Sequence, residues 1–346
     1  MQTLRLTSAP KDLARAAEIL RSGGLVAFPT ETVYGLGANA LDPDAIARIF
    51  AAKQRPAWDP VIVHIADIGV LSQITSEIPQ AAQTLIDRFW PGPLTLLLPR
   101  SSAIPDSVTA GRPLVGVRMP AHSVAFELIR LAGIPIAAPS ANRFGHTSPT
   151  TAEHVLADLD GRIDAVVDAG PTLHGVESTV LDPTQDPIVI YRPGAVTLEQ
   201  ISATAGSAIL YEPPQKSKNP EGLPSPGVGI RHYAPRAHVI LIEAADAELP
   251  AALAQAAANQ IQQHLGILLP HEFAQSVLQT APPNATIFDW GSWSAPEELA
   301  AHLYAGLREL DAAGCDLILC PLPPAEGIGA ALRDRLRKAS WKNERL

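Results

Sequence analysis

Cysteine is nearly absent from this sequence. Cys315 and Cys320 are the only two among 346 residues. Five residues apart on a strand, they point to opposite faces and cannot pair, so a disulfide framework is excluded and a reduced compartment fits. No apolar run approaches about 18 residues, which excludes a helical membrane span. The opening MQTLRLTSAPKDL lacks the apolar core of a signal peptide, so the expected location is the cytoplasm. The ten histidines show no metal-ligand spacing, and there is no Walker A sequence and no GxSxG elbow. An excess of positive charge is also missing. Residues 1–211 carry a net −5 and residues 212–346 a net −4. Neither half is therefore a basic nucleic-acid glove. Only the final RDRLRKASWKNERL is locally basic, as a solvated helix face or an RNA contact.

What is present is apolar and patterned. Hydrophobic residues make up 47% of the chain, which places it among globular proteins, and its length predicts two domains. Over residues 1–211 strand-like and helix-like segments alternate. PKDLARAAEILRSGG has helical spacing, with Pro10 at its start and Gly23-Gly24 as its stop. LDPDAIARIFAAK opens with Asp42 as N-cap and Pro43 at the first helical position. PQAAQTLIDRFW reads as a helix. LVAF, VIVHI, LTLLLP, VGVRMP, IPIAAPS, AVVDA, STVLD and PIVIY read as strands. That is too many strands for a simple strand–helix repeat, and predicts a mixed, twisted sheet with helices on one side.

Residues 212–236 hold six prolines and three glycines with no apolar period, as a linker or a functional loop. From 237 a second unit begins: HVILIE, an Ala-rich helix, GILLP, a helix near 296–312, DLILC and a final helix. This order predicts a small parallel α/β sheet of Rossmann-like form.

Several polar residues interrupt these apolar segments. GLGANA at 35–40 starts like a dinucleotide fingerprint but ends in Ala40, and PTETVY precedes it rather than a strand. PTETVYGLG is hydroxyl-rich, with glycines that admit close approach to the backbone. Its simpler reading is a turn between strands. Lys53 and Arg55 close a helix, where cations complement the dipole. Pro56 and Pro60 stiffen the turn around the second charge, which suits a polyphosphate. His64 and Arg118 lie inside apolar strand patterns. A buried guanidinium needs a carboxylate partner, from the protein or from a ligand. Ser140 and Ser148 lie in PSANRFGHTSP, Ser178 at a strand entrance and Arg192 at a strand exit. Cationic and polar residues at several strand ends predict one cleft at the edge of a sheet.

PTETVYGLG, KQRPAWDPVIVHI, FWPGPLT, VGVRMP, PIAAPSAN, GVESTV, YRPG and SPGVGIRHYAP, in this order, resemble the L-threonylcarbamoyladenylate synthases, the YrdC/Sua family. GIGAALRDRLRKAS resembles the end of the longer, two-domain members. The resemblance implies an α/β protein: a YrdC-like twisted mixed sheet with helices over 1–211, a linker or lid over 212–236, and a smaller Sua-type α/β domain over 237–346. It implies a nucleotidyltransferase that makes threonylcarbamoyl-AMP from L-threonine, bicarbonate and ATP, with Mg²⁺ accompanying the ATP and pyrophosphate released. The product would pass to the tRNA threonylcarbamoyl-transfer machinery. Thr32, His64, Arg118, Ala138 and Ser178 are similar to a threonine pocket. Arg55, Asp59, Ser140, Ser148, Arg192 and Tyr233 are similar to ATP contacts. Lys53 and Arg55 take the catalytic role as a cationic clamp on the phosphates. The chain departs from the family where Asp59 replaces a usual Asn and Gln54 a common Gly. Two other readings stay open. One is an RNA-binding module, against which the net −5 of residues 1–211 argues. The other is a carbamoyl transferase with another acceptor, whose additional zinc-finger and acylphosphatase-like domains are absent.

Overall fold

The computed structural model describes residues 2–212, 233–260 and 263–340. Most of the proline-rich segment expected as linker or lid, 213–232, lies outside the described residues. The chain divides into two compact units. The first comprises Met1–Phe144, Ser148–Leu173 and Glu177–Gly229; the second comprises Gly145–Thr147, His174–Val176 and Ile230–Leu346.

The first unit contains strands β1 (Leu4–Thr7), β2 (Val26–Pro29), β3 (Tyr34–Asn39), β4 (Ile62–His64), β5 (Leu94–Pro99), β6 (Leu114–Arg118), β7 (Ile136–Ala137), β8 (Ala165–Asp168), β9 (Thr179–Asp182), β10 (Ile188–Arg192) and β11 (Ala208–Leu210). They form one mixed sheet in the order β1-β8-β2-β3-β7-β4-β6-β5-β9-β10-β11. Helices cover both of its faces rather than the one side expected. Val26 and Phe28 pack with Leu13, Ala17 and Leu20 of helix Pro10–Arg21 and with Leu128 of helix Ser123–Ala132. Leu25 and Ala27 face a second core with Ile46 and Ile49 of helix Pro43–Lys53 and Leu85 of helix Gln80–Phe89. Successive strand residues point to opposite faces, so an unbroken apolar run such as LVAF needs cover on both.

Local signals set the helix ends. Asp42 Oδ1 accepts from the Asp44 backbone N–H at 2.9 Å, and Pro43 follows as the first helical residue. Gln54 closes that helix in the left-handed region, at φ +53°. A glycine would adopt this conformation without steric cost.

Strand β3 was hidden by its composition, YGLGAN. A Cβ on Gly37 would lie 2.7 Å from Phe28 Cε1 and 3.0 Å from Ile136 Cγ2. The glycine lets three strands pack around one phenylalanine, although it lowers strand propensity.

The second unit contains β12 (His238–Ile242), β13 (Leu265–Pro270), β14 (Thr286–Gly291) and β15 (Leu317–Pro321). All pair in parallel, in the order β12-β15-β13-β14. Helix Leu249–Ala258 packs on one face through Leu249, Leu253 and Ala257. Cys315 and Cys320 are buried free thiols. No described helix is long and apolar enough to cross a membrane.

Candidate active site

Strand direction gathers the predicted residues. β4 and β6 are parallel and place His64 opposite Arg118. β6 runs against β5, β5 runs with β9, and β9 runs against β10. The last residues of β4, β6 and β10 therefore share one end of the sheet with the first residues of β5 and β9. These are His64, Arg118 and Arg192, beside Thr95 and Ser178.

Arg118 finds its carboxylate inside the protein. Its Nη2 lies 2.7 Å from Glu31 Oε1, and both side chains are buried. Nη1 donates to Thr32 Oγ1 at 2.9 Å, and Nε to the Gly92 carbonyl at 3.2 Å. The FWPGPLT turn and the PTETVYGLG loop thus hold one guanidinium between them. Burial pushes the Glu31 carboxyl up, but the charge and hydrogen bond of Arg118 and the Ala121 N–H hold it below the usual carboxylate range. Glu31 Oε2 and His64 Nδ1 are buried without hydrogen-bond partners. Two unsatisfied polar atoms beside a guanidinium suit a small polar ligand. Ala138 lies alongside: its N–H donates to Ile62, and its Cβ would meet a Cβ on Gly35 at 3.3 Å.

Burial, and then the charge of Arg118, lower the His64 pKa to about 3. An unfolded histidine titrates near 6.5. Between these values the unfolded chain binds the extra proton, so this contribution to stability is complete above pH 6.5 and is lost as pH falls toward 3. At pH 5 the loss is about 2 kcal/mol. His64→Gln should flatten the stability–pH curve between pH 6.5 and 4 in urea titrations. Curves of equal slope in the two proteins would show that His64 does not titrate on unfolding.

The cation pair at 53 and 55 divides. Lys53 is buried, and its Nζ donates to the carbonyls of Ser140 at 2.6 Å and Asn142 at 2.5 Å. Burial pushes its pKa well down, and the charge of Arg55 adds to this. Lys53 props up the PSANRF loop. Arg55 instead turns back on its own segment, to Asp59 Oδ2 at 3.0 Å and the Pro60 carbonyl at 2.6 Å. Burial raises the Asp59 pKa against the charges of Arg55, Lys53, Arg112 and Arg192. Arg192 donates to the Ser178 carbonyl and to Ser178 Oγ, both at 3.1 Å, and Ser178 Oγ contacts Thr95 Oγ1 at 2.8 Å.

The structure therefore forms two groups. Thr32, His64 and Arg118 stand together, while Arg55, Asp59, Lys53 and the Ser140 backbone stand together near Arg192. Ser178 joins Arg192 rather than bonding Arg118. Ser148 donates to Glu177. Tyr233 lies in the second unit, buried and stacked on Tyr304. Sequence reading missed Glu31, Glu177 and Thr95. Glu31 had one signal, as the single carboxylate in PTETVYGLG.

YRPG joins this group through its glycine. A Cβ on Gly194 would lie 2.4 Å from Thr179 N and 2.6 Å from the Glu177 carbonyl. Backbone cannot yield as a side-chain tip can. Gly194→Ala should cost about 1–3 kcal/mol in chemical denaturation. An unchanged midpoint would show that the two loops separate readily.

A family model described as telomere recombination, spanning Sua5, YciO and YrdC proteins, matches residues 18–194. The chain belongs to this family. A second model, described as threonylcarbamoyl-AMP synthase, C-terminal domain, matches residues 196–340. A threonylcarbamoyl-AMP synthase of Pyrococcus abyssi is 44% identical to this family member over 326 residues, covering 94% of this chain and 93% of its own. One of Bacillus subtilis is 43% identical over 343 residues, covering 98% and 95%. The crystal structure of P. abyssi Sua5 complexed with L-threonine matches with a TM-score of 0.89 at 40% identity, over 98% of each chain.

Proposed function

We propose that this chain is a nucleotidyltransferase that makes L-threonylcarbamoyl-AMP from L-threonine, bicarbonate and ATP. The reaction would be the first step of threonylcarbamoyladenosine formation in cytoplasmic tRNA. The observation that carries the reading is the buried Arg118–Glu31–Thr32 group beside the unpartnered Nδ1 of His64. It offers a cation for a carboxylate, an anion for an ammonium and neutral groups for a hydroxyl. A relative of this length whose crystal structure holds L-threonine supports it.

In this reading threonine's amine condenses with bicarbonate, losing water, to give a carbamate. A carbamate oxygen then bonds to the α-phosphorus of ATP, and the bond from that phosphorus to the pyrophosphate oxygen breaks. No side chain needs to act as nucleophile. Arg55 and Arg192 neutralise phosphate charge, and Lys53 holds the Ser140–Asn142 backbone against which the nucleotide rests.

Among the described residues no three His, Cys, Asp or Glu side chains cluster to cage a metal. Asp59 Oδ1, however, is buried without a hydrogen-bond partner. A lone carboxylate oxygen fits Mg²⁺ arriving with the nucleotide, and Asp59 would be the residue to hold it. The bound ion would supply further charge neutralisation.

Pyrophosphate release should require ATP, threonine and bicarbonate together. Release without threonine or without bicarbonate would exclude this reaction.

A further inference from the structure

We infer that one face of helix Pro296–Ala312 is a positioning device for the site, through Ala300, Tyr304 and Arg308. The inference rests on the reaction proposed above. Residues 300, 304 and 308 are spaced four apart and form one stripe of the helix. A different stripe serves the β-sheet of the second unit. Leu299 accepts the Trp290 indole N–H through its carbonyl, and a Cβ on Gly306 would meet Leu268 Cδ2 at 2.5 Å and Phe288 Cδ1 at 2.6 Å.

The 300–304–308 stripe grips two segments that belong to the second unit but come from site motifs, Gly145–Thr147 and His174–Val176. Arg308 donates to the Thr147 carbonyl. Tyr304 stacks on Tyr233, with ring centroids 5.7 Å apart. Tyr233 in turn accepts the Thr147 hydroxyl through its carbonyl at 3.2 Å, and Ala234 N–H donates to the Gly145 carbonyl at 2.9 Å. Tyr233 does this in the left-handed region, at φ +64°. A bulky residue is held there only by its surroundings. Gly175, at φ +66°, touches the helix backbone directly: a Cβ would lie 2.3 Å from the Ala300 carbonyl oxygen and 2.6 Å from Ala301 Cα.

The chain continues from each gripped segment straight into the site. Thr147 precedes Ser148, and Val176 precedes Glu177 and Ser178. Ser148 and Glu177 then hydrogen-bond to each other. One helix face thereby fixes the backbone from which a linked pair of site side chains projects. Arg308, Tyr304 and Gly175 are positioning residues, and they act through Ser148, Glu177 and Ser178.

The test uses the full chain with the variants Arg308→Ala, Arg308→Lys, Gly175→Ala and, as a control on the exposed face of the same helix, Glu309→Ala. Misplacing a binding group by about an ångström costs ten-fold or more. Arg308→Ala and Gly175→Ala should each raise the KM for ATP about ten-fold. Calorimetric ATP affinity should weaken in parallel. Arg308→Lys, which can still donate to the Thr147 carbonyl, should restore most of it, and Glu309→Ala should match the parent. A merely structural role would lower Tm and the active fraction with KM unchanged; that result, or parental ATP affinity in both Arg308→Ala and Gly175→Ala, overturns the inference. A parent protein that binds ATP but releases no threonine-dependent pyrophosphate refutes the proposed reaction alone, and the affinities still read the stripe. A parent that neither binds ATP nor releases pyrophosphate overturns both.

Discussion

Arg118→Ala is expected to weaken threonine binding by about 10²-fold or more, since a charge-assisted contact to a carboxylate is lost. It should also destabilise the fold. Glu31 would remain buried without its cation, and breaking a buried pair from one side costs about 3–5 kcal/mol. The two effects can be separated. Arg118→Ala combined with Glu31→Gln removes both charges, so most of the stability should return while threonine affinity does not. Arg118→Lys should behave nearly as badly as alanine. An ammonium cannot reach Glu31, Thr32 Oγ1 and the Gly92 carbonyl together from one planar fork. Calorimetric titration of threonine and urea denaturation read the two effects. If Arg118→Ala loses stability but keeps threonine affinity at the parental value, Arg118 is a structural cation and not the carboxylate reader. ATP affinity should stay close to parental throughout.

Single replacements at 53 and 55 should give unlike results. Arg55→Ala should weaken ATP by about 10²-fold and AMP far less, because the β- and γ-phosphates carry most of the charge the guanidinium answers. Asp59 loses its ion-pair partner in that variant, so Asp59→Asn should recover part of any lost stability. Lys53→Ala should weaken ATP and AMP by similar factors. Its ammonium meets the Ser140 and Asn142 carbonyls, so its loss deforms the loop beneath any nucleotide. It also takes the ammonium from the Ser140 carbonyl, at about 1–3 kcal/mol where that acceptor is shut from water. Titrating both nucleotides into both variants decides it. Equal losses for AMP and ATP in Arg55→Ala would remove the guanidinium from the triphosphate. A selective loss of ATP in Lys53→Ala would return the lysine to the phosphates.

The contrast between Lys53 and Arg55 shows the limit of reading a motif. KQRPAWDP places two cations on a stiff turn, and they look alike in sequence. In the fold one points into a loop that follows 87 residues later and the other into its own turn. The same holds for Arg118. Its burial was legible from VGVRMP, and so was its need for a carboxylate. Glu31 as the answer was not.

The sequence by itself determined what depends on near neighbours. Asp42-Pro43 set a helix start, since a cap acts within three residues. The apolar runs LVAF, LTLLLP and DLILC determined strands, since side chains alternate every second residue. The family motifs also named Thr32, His64 and Arg118, and Lys53, Arg55, Asp59 and Arg192, which the fold places in two groups. Tertiary structure alone decided the rest. YGLGAN became a central strand because Gly37 admits Phe28, a benefit invisible to propensity. Helices came to cover both sheet faces because Val26 and Phe28 pack on one core and Leu25 and Ala27 on another, and these cores draw in helices Ser123–Ala132 and Gln80–Phe89, distant in the chain. Ion pairing, loop support and the grip of residues 300, 304 and 308 follow from strand direction and register. These bring together groups from separate segments, and a local pattern carries no information about partners so remote.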